Sequence, residues 1–118
     1  MFNRIDVNLD CVDVDAQADF WSAALGYTPS GSSGQYRALS APEGSTAPKL
    51  VLQEVPEPRL GKNRLHLDIV VGEDNVDSEV GRLEALGARR LSGRIAEAGT
   101  AWVVMADPEG NEFCICAS

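Results

Sequence analysis

Histidine occurs once in this chain, at His66, and cysteine three times, at Cys11, Cys114 and Cys116. One histidine rules out, within a single chain, an iron centre built from two histidines and a carboxylate. An odd number of cysteines leaves at least one thiol outside any internal pairing, and the expectation is free thiols in a reducing cytosol. Basic residues are also few, ten Lys and Arg against eighteen Asp and Glu, for a net charge of −8. A surface so acidic repels phosphate backbones, so no nucleic-acid partner is expected, and the charge serves solubility. Long apolar runs are missing, so no segment is expected to span or anchor in a membrane. The opening MFNRIDVNLD has no basic stretch followed by an apolar one, so the expected location is the cytoplasm. Also missing are the glycine-rich phosphate loops, the serine-hydrolase elbow G-x-S-x-G and the zinc helix H-E-x-x-H.

What the chain does contain is a repeat. Asn8-Leu9-Asp10 is echoed by His66-Leu67-Asp68, Leu25-Gly26 by Leu86-Gly87, and Pro42-Glu43-Gly44 by Pro108-Glu109-Gly110. Three markers in the same order divide one domain, residues 1–118, into a module over 1–55, a connector over 56–63 and a module over 64–118. The connector carries Pro56, Pro58 and Gly61, which favour irregular chain.

Period-two alternation marks the strands. Ile5, Val7, Leu9 and Cys11 alternate with Arg4, Asp6, Asn8 and Asp10, and Leu65, Leu67, Ile69 and Val71 alternate with His66 and Asp68. Leu50 and Leu52 oppose Val51, Gln53 and Val55, while Phe113 and Ile115 oppose Glu112, Cys114 and Cys116. Two helices supply the surface for the apolar sides. Asp15 is expected to cap a helix running to Leu25, with Phe20, Trp21, Ala24 and Leu25 inward and Gly26 as its stop. A second helix begins near Asp74 or Asn75, carries Val76, Val80, Leu83 and Leu86 as one stripe, and stops at Gly87. Each half then has one helix and about four strands, an α+β arrangement with one polar sheet face in each half.

Three stretches make the chain resemble a known family. Phe20-Trp21-Ser22-Ala23-Ala24-Leu25-Gly26-Tyr27, Arg64-Leu65-His66-Leu67-Asp68 and Ala106-Asp107-Pro108-Glu109-Gly110-Asn111-Glu112-Phe113 resemble, in that order, signature segments of glyoxalase/bleomycin-resistance/extradiol-dioxygenase proteins, the vicinal oxygen chelate superfamily. The resemblance covers the whole chain and is nearest to small glyoxalase-like domain proteins. It implies two βαβββ modules whose curved mixed sheets form a cup, with one helix behind each, and a homodimer. It also implies ligand positions, one on each of four strands, which fall at Asp6, Gln53, His66 and Cys114. In metal-dependent relatives the last of these is usually glutamate; here the glutamate is Glu112, two residues earlier on the same face.

Two functions are compatible with that pattern. One is a small-molecule-binding protein that holds its ligand in the cup at Asp6, Gln53, His66, Glu112 and Cys114, with no metal required. The other is a glyoxalase-type lyase or isomerase acting on a small polar metabolite, with a divalent ion (Zn, Ni, Mn or Fe) at Asp6, Gln53, His66 and Cys114. His66 is either a hydrogen-bonded pocket residue or a ligand or base, and Asp68 either orients it or faces water. Cys116 reads as a small apolar filler, and Trp102 as core or pocket wall. A pocket carboxylate at Glu112 needs a partner, for which Arg64 and Arg37 are the candidates.

Overall fold

The computed structural model describes residues 1–117. Its elements run β1 (Asp6–Cys11), α1 (Val14–Leu25), β2 (Thr28–Ser33), β3 (Tyr36–Ser40) and β4 (Lys49–Glu54). They continue with β5 (Asp68–Val71), a 3-10 turn (Glu73–Asn75), α2 (Val76–Leu86), β6 (Arg89–Arg90), β7 (Ile95–Glu97), β8 (Thr100–Ala106) and β9 (Glu112–Ala117). The chain divides into two compact units, Met1–Pro58 and Arg59–Ser118. The class is α+β, with one mixed sheet of four strands and one of five.

In the first unit the strand order is β1-β4-β3-β2. β1 runs parallel to β4, and the other pairs are antiparallel. α1 packs on β3 and β4. Its Val14, Phe20, Trp21 and Ala24 are buried, as are Leu39, Leu50 and Leu52 on the sheet. Phe20 and Trp21 meet edge to face, with centroids 5.1 Å apart, the arrangement that ring quadrupoles favour. The helix starts earlier than expected. Asp13, not Asp15, is its cap, and its carboxylate accepts from the Ala16 amide at 3.1 Å. Asp15 lies in the first turn and pairs with Arg37 at 2.9 Å. Both aspartates satisfy the local preference for a capping residue; burial of Val14 inside the first turn selects the earlier one.

The second unit has the order β5-β9-β8-β6, with β7 also on β8 and β5 parallel to β9. β6 and β7 are two short pieces facing the same strand. Between them the Leu91 amide bonds the Val104 carbonyl, while the Val104 amide bonds the Ser92 hydroxyl instead of a backbone partner. That side-chain bond interrupts the ladder and makes five strands of the expected four. α2 lies on β6, β8 and β9. Val76, Val80 and Leu83 are fully buried, with Val103, Met105, Phe113 and Ile115 on the sheet. Leu86, expected in that stripe, is 39% exposed. The helix ends in a Schellman motif: Gly87, at φ 117°, donates to Glu84 and Ala88 donates to Leu83. Ala88 therefore curls back into the buried place and Leu86 is left outside.

The strand expected from Leu65 begins at Asp68, and Leu65 is 90% exposed. The reason is again a side chain. Cys114 donates its amide to the Leu67 carbonyl at 2.9 Å, as a parallel ladder requires. One step upstream, where Leu65 would accept, the Glu112 amide donates to Asn63 Oδ1 at 3.2 Å. The ladder stops there. Ile5 likewise lies outside β1 and is 64% exposed. No helix among the described residues is long and apolar enough to cross a membrane.

Candidate functional site

Alternation on β9 sets the site. Phe113 and Ile115 point into the core under α2, which turns Glu112, Cys114 and Cys116 to the other side of the sheet. Asp68 is the register partner of Cys114, and His66 is two residues before it on the same side. One ligand atom each from His66, Asp68 and Cys114 lies within 4.8 Å of the others. His66 Nε2 is 3.4 Å from Asp68 Oδ1, with both side chains about half exposed, while Cys114 is buried beneath them. Of the two readings of Asp68, the structure thus has it beside the imidazole. Trp102, opposite Cys116 on β8, shares this face and is partly exposed.

Burial is the main cause that pushes the Cys114 thiol up to about 11; the negative charge of Asp68 and the neighbouring Cys116 add to it, and Lys62 opposes it. Burial and Asp68 raise Cys116 as well. Both residues are thiols at neutral pH, so neither is a nucleophile unaided. No disulfide joins cysteines among the described residues.

Glu112 is on the same face but is already engaged. It accepts from the Asn63 amide at 3.0 Å and pairs with Arg59 at 3.3 Å, so its partner is Arg59 and neither Arg64 nor Arg37. The Asn63 amide bond, more than Arg59, holds the carboxyl below its usual range against an opposing contribution from burial. Asn63 also donates to Asn111 Oδ1 at 3.1 Å, and Asn111 donates to the buried Asp107 at 3.0 Å. The Asp-Pro-Glu-Gly-Asn turn thereby ties residues 59–63 to the start of β9. Sequence patterns missed Asn63 and Arg59, because both sit in irregular chain with no period to mark them.

The first unit treats its two expected residues differently. Asp6 forms a two-point pair with Arg4, at 2.9 and 3.3 Å. Gln53 is partly exposed and stands opposite Asp10, whereas Asp6 stands opposite Lys49. Asp6 and Gln53 are therefore four residues apart along parallel strands, about 13 Å at ~3.3 Å per residue. In the second unit the register partner of Cys114 is two residues beyond His66. Two residues beyond Asp6 is Asn8, opposite Val51, which offers no donor. The counterpart of Cys114 falls at Gln53 only if Asn8, the residue that echoes His66 in the repeat, takes the place of His66. The structure brings His66 and Cys114 together; it does not bring Asp6 to Gln53.

Fold and site together define an α+β protein of repeated modules with a donor-bearing sheet face opposite the helix. Residues 6–116 match the glyoxalase-like domain family, and the chain belongs to that family. Among solved structures, a glyoxalase/bleomycin resistance protein/dioxygenase family enzyme from Burkholderia phytofirmans PsJN is similar, with a TM-score of 0.81 and 20% identity, covering 96% of this chain and 98% of that one. A variant of the fosfomycin resistance protein FosX from Listeria monocytogenes, complexed with Mn(II) and 1S,2S-dihydroxypropylphosphonic acid, has a TM-score of 0.81 and 15% identity, covering 100% of this chain and 92% of that one. A hypothetical protein from S. aureus has a TM-score of 0.76 and 17% identity, covering 100% and 99%. Likenesses at such identities concern the fold. No protein of curated function matches the chain significantly.

Proposed function

We propose that this protein binds a small polar molecule on the open face of its second sheet, at His66, Asp68 and Cys114. One observation supports the reading: three donor atoms, from β9, the start of β5 and the chain just before it, converge within 4.8 Å on the face turned away from α2. Trp102 offers a flat apolar wall on the same face. Glu112 contributes by holding residues 59–63 in place. The protein acts as a cytoplasmic homodimer in this reading, and sedimentation showing only monomer at micromolar concentration would remove the dimer. The binding site is tested by screening small polar acids and phosphonates for thermal stabilisation, then mapping any hit by amide chemical shifts. Shifts centred on Asp68, Cys114 and Trp102 support the site; shifts confined to other surfaces sink it.

A second reading is a metal-dependent lyase or isomerase of glyoxalase type, favoured by the identity of the three atoms: one nitrogen, one oxygen, one sulfur. His66 and Cys114 are the residues that would hold the ion. When bound, such an ion polarises a substrate oxygen and lowers the cost of negative charge on it. Elemental analysis of protein purified without chelator separates the readings, with near-stoichiometric metal lost in His66→Ala favouring the second.

A further inference from the structure

We infer that Asp68 joins His66 and Cys114 as a metal ligand, forming a nitrogen–oxygen–sulfur set within the second unit that selects zinc-class ions over Mn(II). The inference rests on the metal-binding reading above and names its ion class and donors.

The donor spacing matches a tetrahedral ion along one edge. Two ligands at ~2.0–2.1 Å from a tetrahedral ion are about 3.3 Å apart. His66 Nε2 and Asp68 Oδ1 are 3.4 Å apart, so one edge of the tetrahedron already has its length. The third donor, Cys114 Sγ, is within 4.8 Å of both, and an edge involving a thiolate at ~2.3 Å needs about 3.5 Å. The remaining adjustment is within the swing of two half-exposed side chains.

The backbone beneath the three donors is tied together. Asp68 and Cys114 are direct register partners, and the Leu67 carbonyl between His66 and Asp68 accepts from the Cys114 amide. Upstream, Asn63 fastens the chain to Glu112 and Asn111. The backbones that present all three donors are therefore pinned to one another. Burial is graded as well, with Cys114 forming the floor and the other two facing solvent. Three protein donors would leave a four-coordinate ion one position for water or substrate, as in open zinc sites.

The donor set also discriminates between ions. Mn(II) is the weakest binder of the first-row series and favours oxygen, whereas a thiolate favours zinc and its softer neighbours. In the first unit, Asp6 is held by Arg4 and lies out of step with Gln53, so the four-strand set implied by the family resemblance lacks a matched pair there.

The test uses the full chain after chelator treatment, titrated with Co(II) and followed by the near-ultraviolet thiolate-to-cobalt band. The band is expected to appear, to be abolished by Zn(II), to survive excess Mn(II) and to vanish in Cys114→Ser. His66→Ala and Asp68→Asn are expected to weaken Zn(II) by at least about tenfold, since even residues behind a metal site cost 10–100-fold. Circular dichroism and thermal midpoints confirm that each variant folds. Mn(II) displacing Co(II) as readily as Zn(II), full Zn(II) affinity in Asp68→Asn, or an equal loss in Gln53→Ala would each overturn the inference while leaving the metal reading standing. No binding of any of the three ions overturns both, and leaves small-molecule binding to its own assay.

Discussion

Asn63 and Glu112 hold each other in both directions: the Asn63 amide donates to Glu112 Oε2 at 3.0 Å, and the Glu112 amide donates to Asn63 Oδ1 at 3.2 Å. This pair replaces the next rung of the β5–β9 ladder and fixes the chain three residues before His66. Asn63→Ala is predicted to speed hydrogen exchange at the Cys114 amide by about tenfold, the size of one net hydrogen bond. Exchange at the fully buried Val103 should change much less. Equal acceleration at both would mean a global loss of stability, and no change at Cys114 would mean the ladder needs no help from Asn63.

Cys114 sets a pH dependence. Its thiol is raised from 9.0 to about 11, mainly by burial, so the folded chain keeps a proton there that the unfolded chain loses. The contribution to stability is full below pH 9 and is lost as pH rises towards 11. Alkylation of Cys114 by iodoacetamide should be very slow at neutral pH and climb steeply in the same window. Cys114→Ala should flatten the alkaline fall in urea-unfolding stability; an unchanged slope would assign that fall to other groups.

Asp13 and Asp15 can be told apart by substitution. Asp13→Ala removes the side-chain bond to the Ala16 amide and should cost about 0.5–2 kcal/mol. Asp15→Ala removes a pair in which the Asp15 side chain is 76% exposed, and should cost less than about 1 kcal/mol. Urea denaturation of both variants checks the order; a larger loss at Asp15 would contradict the observed start of α1.

The end of α2 gives a fourth contrast. Leu83→Ala should destabilise by about 2–5 kcal/mol, because Leu83 is fully buried and the cavity it leaves cannot refill completely. Leu86→Ala, three residues on, should cost well under that, because Leu86 is 39% exposed. Similar losses would place Leu86 in the core after all.

The two helices, their glycine stops and the inward sides of the strands could be read from residue order, because each depends on neighbours no more than four positions away. Alternation along β9 separates Phe113 and Ile115 from Cys114 and Cys116 before any partner strand is known, and Gly26 and Gly87 mark helix ends through their own backbone freedom. The same local rules could not choose between Asp13 and Asp15, or see that Ala88 would displace Leu86. The site was legible only in part. His66 and Cys114 were expected from the resemblance, but the convergence of Asp68 on them, the pairing of Glu112 with Asn63 and Arg59, and the mismatch of Asp6 with Gln53 all follow from strand register. Register is a contact between segments far apart in the chain, 49 residues in the case of Asn63 and Glu112, and a shift of two residues would keep every apolar side inward while changing every polar neighbour. Apolar burial is satisfied by either choice, so the folded pairing alone settles which donors meet.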